Sequence, residues 1–361
     1  MKKLTGITIY STAIFLLLTG CAPDITPTLT KQEKEIASPF EEVTRYSNAL
    51  RHLGEMITAY EGDPIKIQSK FITNDTSSEQ ELPKDISRML ITAVNKIGEN
   101  IIYVPYDPQY LLNEAQTGAQ INRVLPDIVI SGAITEFDKD VYKKNRGLNA
   151  DFAFGNGKGD TDIGYSQSSD KSNTKIALDL HLLNYKTMTM FPSLQTQNSI
   201  ILYRRSKERE FGFSIFGNGL GFNGSVSANQ GKHEALRLLV EFSILELVGK
   251  YYNIPYWKLL PNGKKDEMVI AKEKRKFRSI KKDKKLATAL IQRMLYLHGY
   301  KIQTNGIYNK KTQETLKSYV KDYKPSHLKK LGINEETYIS LFLTLPVKKA
   351  VYLVENERFS R

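Results

Sequence analysis

The sequence predicts an α/β fold: a mixed sheet with flanking helices and two β-hairpin insertions forming a shared transmembrane β-barrel, followed by a small all-α C-terminal domain. Three observations carry this. Strand-like and helix-like apolar patterns alternate from Ile65 to Tyr252. Two glycine-rich stretches interrupt that order at strand ends, and both alternate apolar with small or polar residues. From Lys264 to Arg361 the chain carries 24 Lys+Arg against 10 Asp+Glu, a net +14, while the whole chain is +13, so the basic character belongs to the C-terminal part alone.

The N-terminus assigns the compartment. Lys2 and Lys3 precede an apolar run, Ile7 to Leu18, too short to span a bilayer, and Leu18-Thr19-Gly20-Cys21 follows as a lipobox. Residues 1–20 therefore read as a lipoprotein signal peptide, Cys21 as the lipidated (palmitate-bearing) first mature residue, and 21–37, with Pro23 and Pro27 among threonines, as an extended tether. Cys21 is the one cysteine, so there is no disulfide framework and no zinc cluster. Ala22 after the cysteine favours the outer membrane, giving a bacterial, lipid-anchored protein with periplasmic domains.

Along residues 38–262 the elements follow in order. Ser38-Pro39 reads as N-cap and first helical position of a helix carrying Phe40, Val43, Leu50, Leu53 and Ile57. Ile65 to Ile72 is a short strand, and Lys84 to Ile97 a helix with Ile86, Leu90, Val94 and Ile97 on one face. "NIIYVPY" and "DIVISGAITEF" are strands with "LLNEAQTGAQ" as a short helix between them. In "KIALDLHLLNY", Ile176, Leu178, Leu180 and Leu182 face one way, Asp179 and His181 the other. Lacking a third ligand or a nucleophile nearby, that pair reads as solvated or subunit-facing, not as a metal or acid/base site. "SIILYRR" is the next strand, and a long helix, Lys232 to Tyr252, ends before Pro255 and Pro261. Residues 263–285 read as a basic linker or exposed helix, and 286–361 as a compact helical module.

The insertions lie at about 147–170 and 204–230. In the second, Phe211, Phe213 and Ile215 share one face of an arm, Gly217-Asn218-Gly219 can turn the chain, and Leu220, Phe222, Gly224 and Val226 share one face of the return. The first repeats this plan: Phe152 and Phe154 lead to Gly155, Gly157 and Gly159, and Ile163 and Tyr165 return. Gly219-x-Gly221-x-x-Gly224 matches a dinucleotide fingerprint literally, but strand-like alternation, not a helix, follows it, so no nucleotide cofactor is expected. The apolar faces need a cover, since leaving each large side chain in water forgoes roughly 2 kcal/mol. Arms of this length and pattern fit membrane β-strands. Four strands cannot close a barrel alone, and open edges are not tolerated in lipid, so a barrel shared around a homo-oligomeric ring follows. Packing of the hairpins on a partner protein is the alternative.

With "MLITAV", "YLLNE", "DIVISGAITEF", "KIALDLHLLNYKT", "SIILY" and "EALRLLVEFSILELVGKYY" in this order, behind a lipobox and around two insertions, the chain resembles the curli secretion channel (CsgG-like) lipoproteins of the outer membrane from about Ile65 to Leu260. The resemblance implies a ring of roughly nine subunits, about 36 strands in all and at the upper end of known barrels, working as a passive export pore for unfolded subunits. Related lipoproteins anchor holdfast or flagellar structures. The family's pore-narrowing loop carries aromatic and amide residues; the equivalent Asn74 to Pro83 is short and has no aromatic, so those residues are not carried over.

The segment Ala289 to Tyr323 looks like a small three-helix peptidoglycan-binding domain. Gly299-Tyr300 ends its first helix, Asn305-Gly306-Ile307-Tyr308 makes the turn, and Thr312, Leu316 and Tyr319 lie on the next helix. Asn305 stands where such domains usually have Asp, and Asn309 where they often have Gly; both tolerate the turn. The expected partners are thus copies of the chain, outer-membrane lipids, peptidoglycan and an unidentified exported protein or surface-structure subunit; nucleic acid is not expected in the periplasm. No Ser/His/Asp, Cys/His or metal constellation emerges among five scattered histidines, so no enzyme, metal or other cofactor is expected. Two functions remain open: a ring-shaped export pore tethered to the cell wall, or a non-conducting structural ring or anchor for a surface appendage.

Overall fold

A computed structural model of the chain describes residues 47–77, 81–109, 112, 116, 124–139, 173–204, 210–217, 220–227, 231–260, 263–325 and 328–360. The signal peptide, Cys21, the tether and the whole first insertion, with Phe152, Phe154, Gly155, Gly157, Gly159, Ile163 and Tyr165, lie outside these residues, as do most of "LLNEAQTGAQ" and the start of the first helix.

The described part of the first helix is α1 (Ser47–Ala59), which buries Leu50, Leu53, Met56 and Ile57. Strand β1 (Ile65–Ser69), the two-residue β2 (Thr73–Asn74) and helix α2 (Ser87–Asn95) follow. Then come β3 (Ile101–Tyr103), β4 (Ile128–Lys139), β5 (Asn173–Asn184) and β6 (Met190–Arg204). Strands β7 (Glu210–Gly217) and β8 (Leu220–Ser227) lead into the long helix α3 (Gly231–Tyr252). All eight strands form one sheet in the order β3-β1-β4-β5-β6-β7-β8, with β2 also on β4. β1 runs parallel to β3 and β4, and every pair from β4 to β8 is antiparallel. This is the mixed α/β arrangement that the alternating pattern predicts.

One face of the sheet makes the core. Pairing aligns Ile130 with Leu182, Ile134 with Leu178, Ile176 with Ile200, and Ile200 with Ile215, and all of these are buried. Helix α3 lies on this face, chiefly against β5 and β6, and packs against α1 and α2. Apolar on the sheet side and on the helix side, α3 has no polar stripe, as expected of a helix buried all round. The charges it buries are therefore paired: Glu246 with Lys250, and Glu241 with Lys96 at 2.6 Å.

The C-terminal part is five helices: α4 (Glu267–Ile280), α5 (Lys284–Leu297), α6 (Lys310–Tyr323), α7 (Glu335–Thr344) and α8 (Val347–Phe359). Asp266, Asp283, Asn309 and Asn334 cap the first four, each carboxylate or amide oxygen accepting from a first-turn N–H. The basic stretch 263–285 is not a linker. Val269, Ile270 and Phe277 of α4 are buried, and Phe277 stacks on Tyr338 with ring centroids 5.3 Å apart. Charge density hid a period of apolar residues that fills one helix face.

These helices dock directly on the α/β domain. Tyr60 donates to the Phe342 carbonyl at 2.6 Å, and Arg293 clamps Glu61 at 2.6 Å and Glu357 at 2.7 Å. Buried Glu273 accepts from both Asn253 and Tyr338. Residues 43–361 form one compact unit. Among the described residues no single helix is long and apolar enough to cross a membrane.

Candidate functional site

The strand ends next to both insertions gather at one end of the sheet. Pairing sets Lys139 opposite Thr174, Asn173 opposite Tyr203, Arg204 opposite Phe211, and Glu210 opposite Ser227. The first insertion leaves after Lys139 and returns at Asn173, while α3 starts just beyond Ser227. Charged side chains tie this end together. Glu81, in the loop between β2 and α2, accepts from Lys139 at the end of β4 and Lys232 at the start of α3. The two ammonium groups hold the Glu81 carboxyl below its ordinary range. Lys232 also lies 5.4 Å from the Phe137 ring centre, and Lys175 pairs with Glu136 at 2.6 Å. None of these charges stood out in the sequence; scattered polar residues in separate elements carry no periodic signal.

The second insertion does form a hairpin, with Phe211 opposite Val226, Phe213 opposite Gly224, Ile215 opposite Phe222, and Gly217 opposite Leu220. The one-faced pattern read from alternation is thus the observed strand register. Its direction differs from the expectation. β7 runs back along β6, so Gly217 at its end pairs with Asn198, inside the sheet and not beyond its end.

Phe213 and Ile215, expected to face lipid, are fully buried in the core that α3 covers. For these two the lipid-facing assignment is corrected: their apolar cover is a helix of the same chain. Hydrophobic burial is non-directional, and alternation demands a cover without specifying which. The side chains of Phe211, Leu220, Phe222 and Val226 lie outside what the structure describes, as does Gly219.

Gly217, expected as a turn glycine, is the last residue of β7 and is needed for space. A Cβ there would lie 1.6 Å from Asn198 Oδ1 and 3.3 Å from Phe242 Cε1. Asn198 in turn donates to Glu246 at 2.9 Å and to Ser243 at 3.1 Å, and Lys250 reaches the Gln195 carbonyl at 3.3 Å. A sequence signal for this network existed: Glu246 and Lys250 stand four residues apart as the charged residues of the apolar stretch Phe242 to Tyr252.

Asp179 and His181 lie on the sheet face away from α3, opposite Gln197 and Gln195. Desolvation and the nearby Lys70 charge lower the imidazole pKa. Among the described residues no group of three or more His, Cys, Asp or Glu side chains could hold a metal ion.

In the C-terminal helices, Gly299 (φ 91°) closes α5, and Tyr300 donates to Asp322 at 2.7 Å. Asn305, Gly306 and Tyr308 share a turn that Gln292, almost fully buried, holds from inside. Its amide nitrogen donates to Asn305 Oδ1, the Ile307 carbonyl and Thr312 Oγ1, and its oxygen accepts from Gly306 N–H at 2.8 Å. Beside this turn an open cleft of about 540 Å³ is lined by Lys284, Lys285, Thr288, Asn305, Gly306, Ile307 and Tyr308. Gln292 and the two lysines were not singled out in the sequence.

A search of curated proteins finds no match to this chain. A family model, described as the curli production assembly/transport component CsgG, matches residues 66–277, which is more than half the chain and runs from β1 through most of α4. That family is one of outer-membrane secretion and assembly components, not of enzymes. The chain belongs to the CsgG family of curli production assembly/transport components.

Proposed function

We propose that this protein is one subunit of an oligomeric outer-membrane ring, anchored by lipid on Cys21, whose first insertion is pooled among copies into a pore for protein export or surface assembly. The observation that carries this is the family match spanning a sheet whose strand ends next to both insertions gather at one end. Chain segments leaving a rigid sheet side by side can extend together into a bilayer, and closing the edges between neighbouring copies removes unpaired backbone groups. The C-terminal helices, docked on the same compact unit, hold the ring to peptidoglycan.

A second reading keeps the ring but makes it a structural anchor for a surface appendage. The loop before α2 favours it. That segment, Asn74 to Pro83, has no aromatic side chain, and Glu81 within it is pinned to Lys139 and Lys232. A narrow aromatic constriction is not available from it.

Purified protein in mild detergent should run as a large, heat-sensitive oligomer and raise the conductance of planar bilayers. A monomer without conductance overturns the ring; an oligomer without conductance selects the anchor.

A further inference from the structure

We propose that the cleft beside the 305–308 turn binds a carboxylate-bearing peptide, the anionic stem peptide of the cell wall, with Lys284 and Lys285 as its charge partners and Ile307 and Tyr308 as its apolar wall. The proposal rests on the peptidoglycan-tether reading above and specifies its ligand chemistry.

The turn is built as a rigid platform. Gln292 holds it with three hydrogen bonds from beneath, to Asn305, Gly306 and Ile307, and Asn305 Oδ1 also accepts from Ile307 N–H at 3.0 Å. Gly306 sits at φ 75°, so close to α5 that a Cβ would lie 2.7 Å from the Lys285 carbonyl oxygen. On this platform Ile307 and Tyr308 are 58% and 45% exposed. Rigid backbone with projecting apolar side chains is costly unless something covers them.

Charge selects the occupant. Lys284 and Lys285 are adjacent, exposed and without an ion-pair partner among the described residues; the nearest carboxylate in sequence, Asp283, is engaged in capping α5. The surrounding part of the chain is net +14. A neutral glycan would use the tyrosine ring and leave the ammonium groups unanswered. A peptide with free carboxylates uses both, since ammonium–carboxylate hydrogen bonds are the stronger kind.

The test uses the full-length protein in detergent and three fluorescent wall fragments: a disaccharide-peptide with free carboxylates, the same fragment amidated, and peptide-free glycan. The first should bind, and amidation or Lys284→Gln/Lys285→Gln should each weaken it about tenfold or more. Tyr308→Ala should weaken it as well, and an unchanged melting temperature shows that each variant is folded. Equal binding of the amidated fragment, or of peptide-free glycan, overturns the proposal. Sedimentation with whole wall sacculi separates the two levels. Wild-type protein that does not sediment overturns the tether and this site together; a double-lysine variant that sediments as well as wild type overturns the site alone.

Discussion

Asn198 on β6 donates to Glu246 on α3 across 2.9 Å, within the buried core, while the other side of its amide faces Gly217 of the hairpin. One buried side chain thus joins sheet, helix and hairpin.

Replacing Glu246 with Gln should cost about 3 to 5 kcal/mol, because Lys250 is buried beside it and would lose its counter-charge. The paired change Glu246→Leu/Lys250→Met should cost much less. Chemical denaturation of both variants checks this; equal loss in the single and the double variant would show that the ion pair is not the relevant unit.

Gly217→Ala should destabilise the chain by about 1 to 3 kcal/mol, because the new methyl group lands on the Asn198 amide oxygen. In an Asn198→Ala background the same change should cost less. The double-mutant cycle measures that coupling directly.

Phe213→Asp should unfold the α/β domain itself. Read from alternation alone, the substitution would spare that domain and block only membrane insertion. With Phe213 fully buried, an unpaired carboxylate enters the core, and a loss of more than about 4 kcal/mol follows. Circular dichroism of the purified variant decides, and a native melting curve would place the side chain outside the core.

Acid should loosen the C-terminal helices. His298 is buried between Tyr319 and Tyr323, its Nδ1–H donating to the Met294 carbonyl at 2.7 Å, and desolvation pushes its pKa down to about 4. The ordinary value is 6.5, so between about 6.5 and 4 the unfolded chain binds the proton and the folded chain does not. Stability is fully present above pH 6.5 and falls as pH drops through that window, by on the order of 3 kcal/mol. His298→Gln should flatten this dependence in melting curves taken from pH 7 to 4.

Arg293→Met should weaken docking of the C-terminal helices by about 1 kcal/mol, a modest figure because Glu61 and Glu357 are partly exposed. Limited proteolysis should then cut more readily between residues 260 and 267, and high salt should produce a similar effect in the wild type.

Much of the fold was legible because its elements are periodic. The leucine and isoleucine alternation of β5, the long apolar helix α3 and the paired arms of β7 and β8 each state their own secondary structure. The helix α4 was less legible: ten Lys, Arg, Asp or Glu residues between Lys264 and Arg278 read as a solvated linker, yet three apolar residues at helical spacing suffice to dock it. The collar of Glu81, Lys139 and Lys232 was illegible, since its members lie far apart in sequence and meet only when β4, the 75–83 loop and α3 converge.

By itself, then, the sequence determined the order of the main strands and the long helix of the α/β domain, the one apolar face of the hairpin and the concentration of positive charge after Lys264. Only the tertiary structure decided what covers that hairpin face, why Gly217 is glycine and that the basic helices are part of the same compact unit. The physical reason is common to all three. Periodicity is written locally and states that an apolar surface exists, whereas its partner is chosen by contacts between segments distant in the chain, and the hydrophobic effect carries no label for lipid, helix or neighbouring strand.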